Sequence, residues 1–315
     1  MMKRRVEMTP IERKESEESQ LTGGKRIVFL GDSITDEGTF IAYVDAFFEQ
    51  YRPDIPLTLI NLGISSETAS GLTEADHPFP RPCIHDRLAR ALQESKPDWV
   101  VVGYGMNDGI YAPFSIERFQ TYQNGILTAI RMIHQSGAKA IVMTPPPFDP
   151  ESMNANILLP DGQKDYSYKE PYVRYNDVIR YYANWLITLY STADEVVNIY
   201  DPLLHHREQE REINPGYRSG DGIHPNSDGH WVMAKTLLSH LFHITLEQMP
   251  DFIEQPDNSK LFQLILQRQH LLGSAWKEHV GHTNPSKKEA LPLELALKRG
   301  EEITKQIRMI TVKSQ

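Results

Sequence analysis

Five short apolar runs, at 27–30, 57–60, 98–102, 139–144 and 195–199, limit what this chain can fold into. Each is too short for a helix and lacks the in–out alternation of a strand wetted on one side, so each reads as a strand buried on both faces. Between them, apolar residues recur at helical spacing. Phe40, Ile41, Val44, Phe47, Phe48 and Tyr51 mark one such stretch, which Pro53 and Pro56 end. Phe119, Tyr122, Ile126, Ile130 and Ile133 mark another, stopped by Gly137. A shorter one covers 83–95, and a further one runs through Tyr175, Ile179, Tyr182, Leu186 and Leu189. Strands that alternate with helices predict a parallel sheet covered on both faces.

Right-handed crossovers leave few ways to order five parallel strands, and a closed barrel would need eight units. The expected fold is therefore α/β, a flavodoxin-like three-layer α/β/α sandwich around a five-stranded parallel sheet, with a helical extension at the C-terminal end. Residues 1–22 are polar and rich in mixed charge and read as a mobile tail. Residues 23–244 carry the alternation. Residues 245–315 break it, with helical patterns at 257–280 and 292–310 joined by the turn-rich Gly281-His282-Thr283-Asn284-Pro285. This extension reads as a helical hairpin, packed on its own domain, walling a cleft or joining two copies into a homo-oligomer.

Net charge is −9 over 315 residues, which argues against a nucleic-acid or anionic-membrane partner. No apolar run is long enough to span a bilayer. Lys3, Arg4 and Arg5 have no apolar segment behind them, so a cytoplasmic location is expected. The single cysteine, Cys83, excludes an internal disulfide and a cysteine-based zinc site. The histidine pairs His205-His206 and His279, His282 complete no known metal spacing, so neither metal nor cofactor is expected. Gly103-Tyr104-Gly105 lies after the third strand and has Asp108 where a dinucleotide fingerprint needs its last glycine. Two irregular stretches remain. Residues 148–171, with Phe148, Tyr166 and Tyr168, read as a candidate substrate wall or lid. A polar loop carrying His205 and His206 leads to Asp221.

Polar or glycine residues arrive together at the carboxyl ends of the strands, the rim where open α/β sheets bind ligands. Ser33 follows the first strand, Gly63 the second and Asn107 the third, while Asp221 and His224 come from a late loop. A serine hydroxyl is a weak nucleophile until a base takes its proton. His224 suits that task, with an unperturbed pKa near ~6.5. Asp221 can hold its tautomer and stabilise its charged form. A tetrahedral intermediate needs donors aimed at its oxyanion, and the backbone N–H groups of Ser33 and Gly63 with the Asn107 amide are the candidates. Asp32 and Asp108 read as structural carboxylates.

These residues lie in four ordered blocks: Gly31-Asp32-Ser33-Ile34-Thr35, Asn61-Leu62-Gly63, Gly105-Met106-Asn107-Asp108 and Asp221-Gly222-Ile223-His224-Pro225. In them the chain resembles the SGNH subgroup of GDSL-type hydrolases over roughly residues 24–243. The resemblance implies a metal-free serine ester hydrolase with Ser33 as nucleophile, His224 as base, Asp221 as its partner and an oxyanion hole from Ser33, Gly63 and Asn107. Short acyl esters, such as acetyl esters of a carbohydrate or small metabolite, are the expected substrates. An acyltransferase, lysophospholipase or thioesterase using the same residues is the alternative, as is a binding protein without turnover. The resemblance assigns nothing to the C-terminal extension.

Overall fold

Alternation along β1 (Lys25–Gly31) divides the interior into two apolar layers. Val28 and Leu30 point into one, Ile27 and Phe29 into the other, and none is more than 3% exposed. The computed structural model describes residues 25–246, 249–287 and 289–314; the tail expected at 1–22 lies outside them. With β2 (Leu57–Asn61), β3 (Trp99–Gly103), β4 (Lys139–Met143) and β5 (Glu195–Val197), β1 forms one parallel sheet in the order β2-β1-β3-β4-β5. The register pairs Ile27 with Trp99 and Gly31 with Gly103, so β1 and β3 end level. The strand order reverses at this pair, leaving a crevice beyond their carboxyl ends.

The helices are α1 (Ser33–Glu37), α2 (Thr39–Tyr51), α3 (Leu88–Ser95), α4 (Ile116–Gln135), α5 (Tyr175–Ile187), α6 (Tyr200–Ile213) and α7 (Ser227–Phe242). Helices α3, α4 and α5 cover the Val28 face through Leu88, Ile126 and Tyr182, while α2 and α7 cover the Ile27 face through Phe40, Phe47 and Leu237. The result is the three-layer α/β/α sandwich expected from the sequence. Pattern and structure part at two helices. The 83–95 stretch is broken, with a 3-10 turn at Ile84–Asp86 before α3. The polar loop expected around His205 and His206 is α6, a helix of 14 residues. Helix α6 buries only Tyr200, Leu203 and Arg207, too narrow a stripe to register as helical periodicity. Pro202 sits in its first turn, where a missing N–H costs nothing.

Beyond α7 come α8 (Asp251–Glu254), α9 (Lys260–Val280) and α10 (Leu293–Ser314). Helices α9 and α10 lie against each other, and α9 also packs on α2 and on the edge strand β2. Leu261, Phe262, Leu264 and Ile265 of α9 share one apolar cluster with Phe40, Val44 and Phe47 of α2, and Ile303 and Ile307 of α10 join it. No described helix is long and apolar enough to cross a membrane.

Candidate active site

At the end of β1, a side chain on Gly31 would place its Cβ 2.1 Å from Thr35 Oγ1 and 2.8 Å from the Gly103 carbonyl. Only glycine allows the strand to turn into α1 so tightly. Asp32 caps that helix, its Oδ1 accepting the Ile34 N–H at 3.1 Å. Ser33 is thus the first helical residue, and its own N–H is one of the donors that a helix start leaves without an intrahelical acceptor.

Asp221 and His224 come from the loop between α6 and α7, 191 residues from Ser33 at the histidine. The loop folds on itself: Asp221 Oδ1 accepts the N–H groups of Ile223 at 2.9 Å and His224 at 2.7 Å, and Gly220 bridges Pro225. Asn226 then caps α7 by accepting the Gly229 N–H. The other Asp221 oxygen lies 2.8 Å from His224 Nδ1, and His224 Nε2 lies 2.7 Å from Ser33 Oγ. Hydroxyl, imidazole and carboxylate form one hydrogen-bonded line.

Their charge states follow from their surroundings. Partial burial acts to raise the Asp221 pKa, but the hydrogen bonds from the His224 ring and backbone outweigh it and bring it to about 2. Burial acts to lower that of His224; the bond to Asp221 and the charges of Asp221, Asp32 and Glu37 outweigh it, and the net shift is upward. Asp32 and Asp108 are buried outright. Burial pushes Asp32 up to about 7 against its bond from Ile34, and Asp108 up to about 6 against bonds from Ser70 and Ala69. Both act through structure: Asp108 Oδ1 accepts the N–H groups of Ala69 and Ser70 and ties the loop after β2 to the loop after β3.

Asn107 is buried, its Oδ1 accepting the Tyr111 hydroxyl at 2.9 Å and its Nδ2 donating to the Glu67 carbonyl at 3.1 Å. One amide hydrogen remains for a ligand. Gly63 departs from expectation. Its N–H donates to Asn61 Oδ1 at 2.9 Å, and its α-carbon packs under α1, where a Cβ would stand 2.3 Å from Asp36 N. Gly63 therefore spends its donor on Asn61 and serves as a close-packing glycine. Three residues on, Ser66 has a left-handed backbone with φ 66°. Its carbonyl accepts from Arg81 Nη1 at 3.2 Å, and the next carbonyl in the chain is the one held by Asn107. Among the described hydrogen bonds none uses the Ser66 N–H. No sequence signal marks it, since glycine or asparagine is the usual residue at positive φ.

Buried ion pairs brace this loop. Arg87 makes a two-pronged contact with Glu67 at 2.7 and 2.5 Å, and Tyr104 donates to the same carboxylate. Arg81 grips Glu74 at 2.6 and 2.5 Å. The late loop has its own anchor in Asp149, which accepts from Ser152, Ser219 and Arg211. In the 148–171 stretch, Phe148 is fully buried and packs edge-on against Tyr175, so it belongs to the core and not to a substrate wall. Tyr166 donates to the Pro160 carbonyl, while Tyr168 lies 5.9 Å from the Arg81 guanidinium. His205 and His206 ride on α6, and His279 pairs with Glu94. Among the described residues no group of three His, Cys, Asp or Glu side chains could hold a metal.

The sheet order and the residues at its rim point to a hydrolase of the SGNH type. Residues 29–232 match the GDSL-like Lipase/Acylhydrolase family, and the chain belongs to it. Over 237 residues the chain is 21% identical to an acetylxylan esterase of Geobacillus stearothermophilus, covering 70% of this chain and 96% of that protein. Among solved structures, a variant of Axe2, an acetyl-xylooligosaccharide esterase from Geobacillus, superposes with a TM-score of 0.52 at 19% identity, over 73% of this chain and 99% of that one. A gut microbial diltiazem-metabolizing enzyme gives 0.51 at 22% identity over 69% of this chain, which spans 46% of that protein's length. At these identities the structural likeness bears on the fold.

Proposed function

We propose that the chain hydrolyses short acyl esters, acetyl esters of a carbohydrate or small metabolite foremost, through a covalent acyl-enzyme on Ser33. The observation that carries this reading is the line Ser33 Oγ to His224 Nε2 to Asp221, closed at 2.7 and 2.8 Å. In it, Ser33 Oγ attacks the ester carbonyl while His224 Nε2 takes the hydroxyl proton. Asp221, ionised across the neutral range, keeps the Nδ1–H tautomer and stabilises the imidazolium that forms. The oxyanion meets the N–H groups of Ser33 and Ser66 and the Asn107 amide. Histidine then passes its proton to the leaving alkoxide, and water repeats the sequence to release the acid. Acetyl as the acyl group and a sugar as the alcohol are suggested by the acetylxylan esterase relative.

The test is hydrolysis of 4-nitrophenyl acetate by the intact protein and by Ser33→Ala. The variant should keep the wild-type circular dichroism spectrum and lose ~10⁴-fold or more in kcat. Activity near wild type in a folded Ser33→Ala protein would remove the serine mechanism.

A further inference from the structure

A second feature of the same rim takes one of its walls from beyond the part of the chain that matches the family. A cleft of about 370 Å³ runs between α9 with the 281–287 link on one side and α1 with the end of β2 on the other. That is room for a small organic ligand, since such sites span roughly 300–1,000 Å³. The cleft starts close to the nucleophile. Glu37, one of its walls, stands one turn after Ser33, about 6 Å along the helix axis. The charge of Glu37 also acts on His224. The C-terminal wall is held onto this rim: Lys277 pairs with Asp36, and Asn284 Nδ2 donates to the Ser65 carbonyl at 2.8 Å.

The walls are hydrogen-bonding and not cationic. Gln269, His270 and Ser274 share the lining with the carboxylates of Glu37 and Glu278, and the ammonium of Lys277 is balanced by Asp36. Glu37 in turn meets His230 at 3.2 Å and Glu278 meets Lys287 at 3.9 Å, so the charges of the described lining are already paired and none is left over to bind an anion. One group has no protein partner. His282 is 6% exposed at its side chain and lines the cleft; its Nε2 lies 3.0 Å from Glu278 Oε1, while its buried Nδ1 has no hydrogen bond within the protein. In the neutral ring the proton on Nε2 serves Glu278, so Nδ1 is a bare acceptor. A buried polar atom of this kind costs free energy unless a partner reaches it. A ligand hydroxyl becomes such a partner once the ring turns Nδ1 toward the cleft that His282 lines.

We propose that this cleft binds the alcohol half of the ester, and that this half is a neutral polyhydroxylated unit, a sugar, whose hydroxyl donates to His282 Nδ1. The proposal rests on the reading of the chain as an ester hydrolase acting through Ser33. It gives the C-terminal helices the task of selecting the leaving group.

Two acetate esters test it, 4-nitrophenyl acetate and a mono-O-acetylated methyl xyloside that keeps two free hydroxyls, each measured with the wild type, with His282→Ala and with Ser274→Phe, which fills the cleft. Both variants should lower the ratio of kcat/KM for the sugar ester to that for the aryl ester at least tenfold, with the sugar KM rising. Methyl xyloside should compete with the aryl ester in the wild type and lose that effect in both variants. Ser274→Phe acts by volume alone, so a folding defect in His282→Ala, read from its Tm, leaves the test intact. A ratio within twofold of wild type in Ser274→Phe overturns the proposal, as does a wild type that cleaves the aryl ester and not the sugar ester. A wild type inert to both esters overturns the hydrolase reading instead.

Discussion

His224 has to be neutral to take the Ser33 proton, yet its bond to Asp221 favours the charged ring. Activity should therefore rise with pH through a pKa above the ordinary histidine value of 6.5. Asp221→Asn removes the stabilising charge, so the acid limb of the kcat/KM profile should move to lower pH while kcat falls by roughly 10²–10⁴-fold. An unmoved limb would mean that another group controls the titration. Stability runs the opposite way. The Asp221 contribution is present above 3.8 and is lost as pH falls toward about 2. The His224 contribution is complete below 6.5 and is lost as pH rises through the raised pKa. The pair thus holds the loop most firmly between pH 3.8 and 6.5, where the base is mostly protonated and least able to work. Of this line, Ser33 was legible because a strand end delivers it to the rim, and Asp221 and His224 because they stand three apart in one polar loop. The oxyanion donors were less so: Gly63 and Ser66 lie three apart in one loop, and which N–H is free depends on where the Asn61 side chain turns. That is a tertiary choice, invisible to spacing.

The loop between α6 and α7 carries two of the three reacting side chains, and its placement depends on an element that periodicity does not reveal. Helix α6 presents Arg207 and Arg211 to Asp149, and Asp149 in turn accepts from Ser219 and from Ser152 while its N–H donates to the Gly222 carbonyl. Burial acts to raise the Asp149 pKa, but the serine and arginine bonds outweigh it and the carboxylate stays charged. Replacing Asp149 by Ala leaves these donors without an acceptor and frees the loop to drift from Ser33. A displacement of ~1 Å at a reacting group can cost 10²-fold. Asp149→Ala is accordingly expected to lower kcat for 4-nitrophenyl acetate by that order with little change in KM, since the substrate-facing loops after β1 and β3 are untouched. A rise in KM at constant kcat would place Asp149 in substrate binding. The strands were readable since β1, β3 and β4 carry apolar runs buried on both faces. Helix α6 was not, because it buries one narrow stripe and spends its polar faces on the loop it supports.

At the scale of the whole chain the question is whether the C-terminal helices fold with the sandwich or beside it. Their sequence breaks the strand–helix alternation at about residue 245, and a separate hairpin at 245–315 would melt on its own. Their packing argues for one cooperative unit: α9 sends Ile265, fully buried, into the cluster that holds α2 against the sheet, and Arg268 reaches Asp45 at 2.9 Å and Glu49 at 2.7 Å on α2. Removing a buried isoleucine side chain costs about 2–5 kcal/mol. If one core is shared, Ile265→Ala should lower the midpoint of a single urea transition seen identically by tryptophan fluorescence and by circular dichroism. The same change should release the cleft wall on which His282 depends, and so depress sugar-ester hydrolysis before the protein unfolds. Two separated transitions, with only the weaker one shifted, would instead establish the extension as an independent domain.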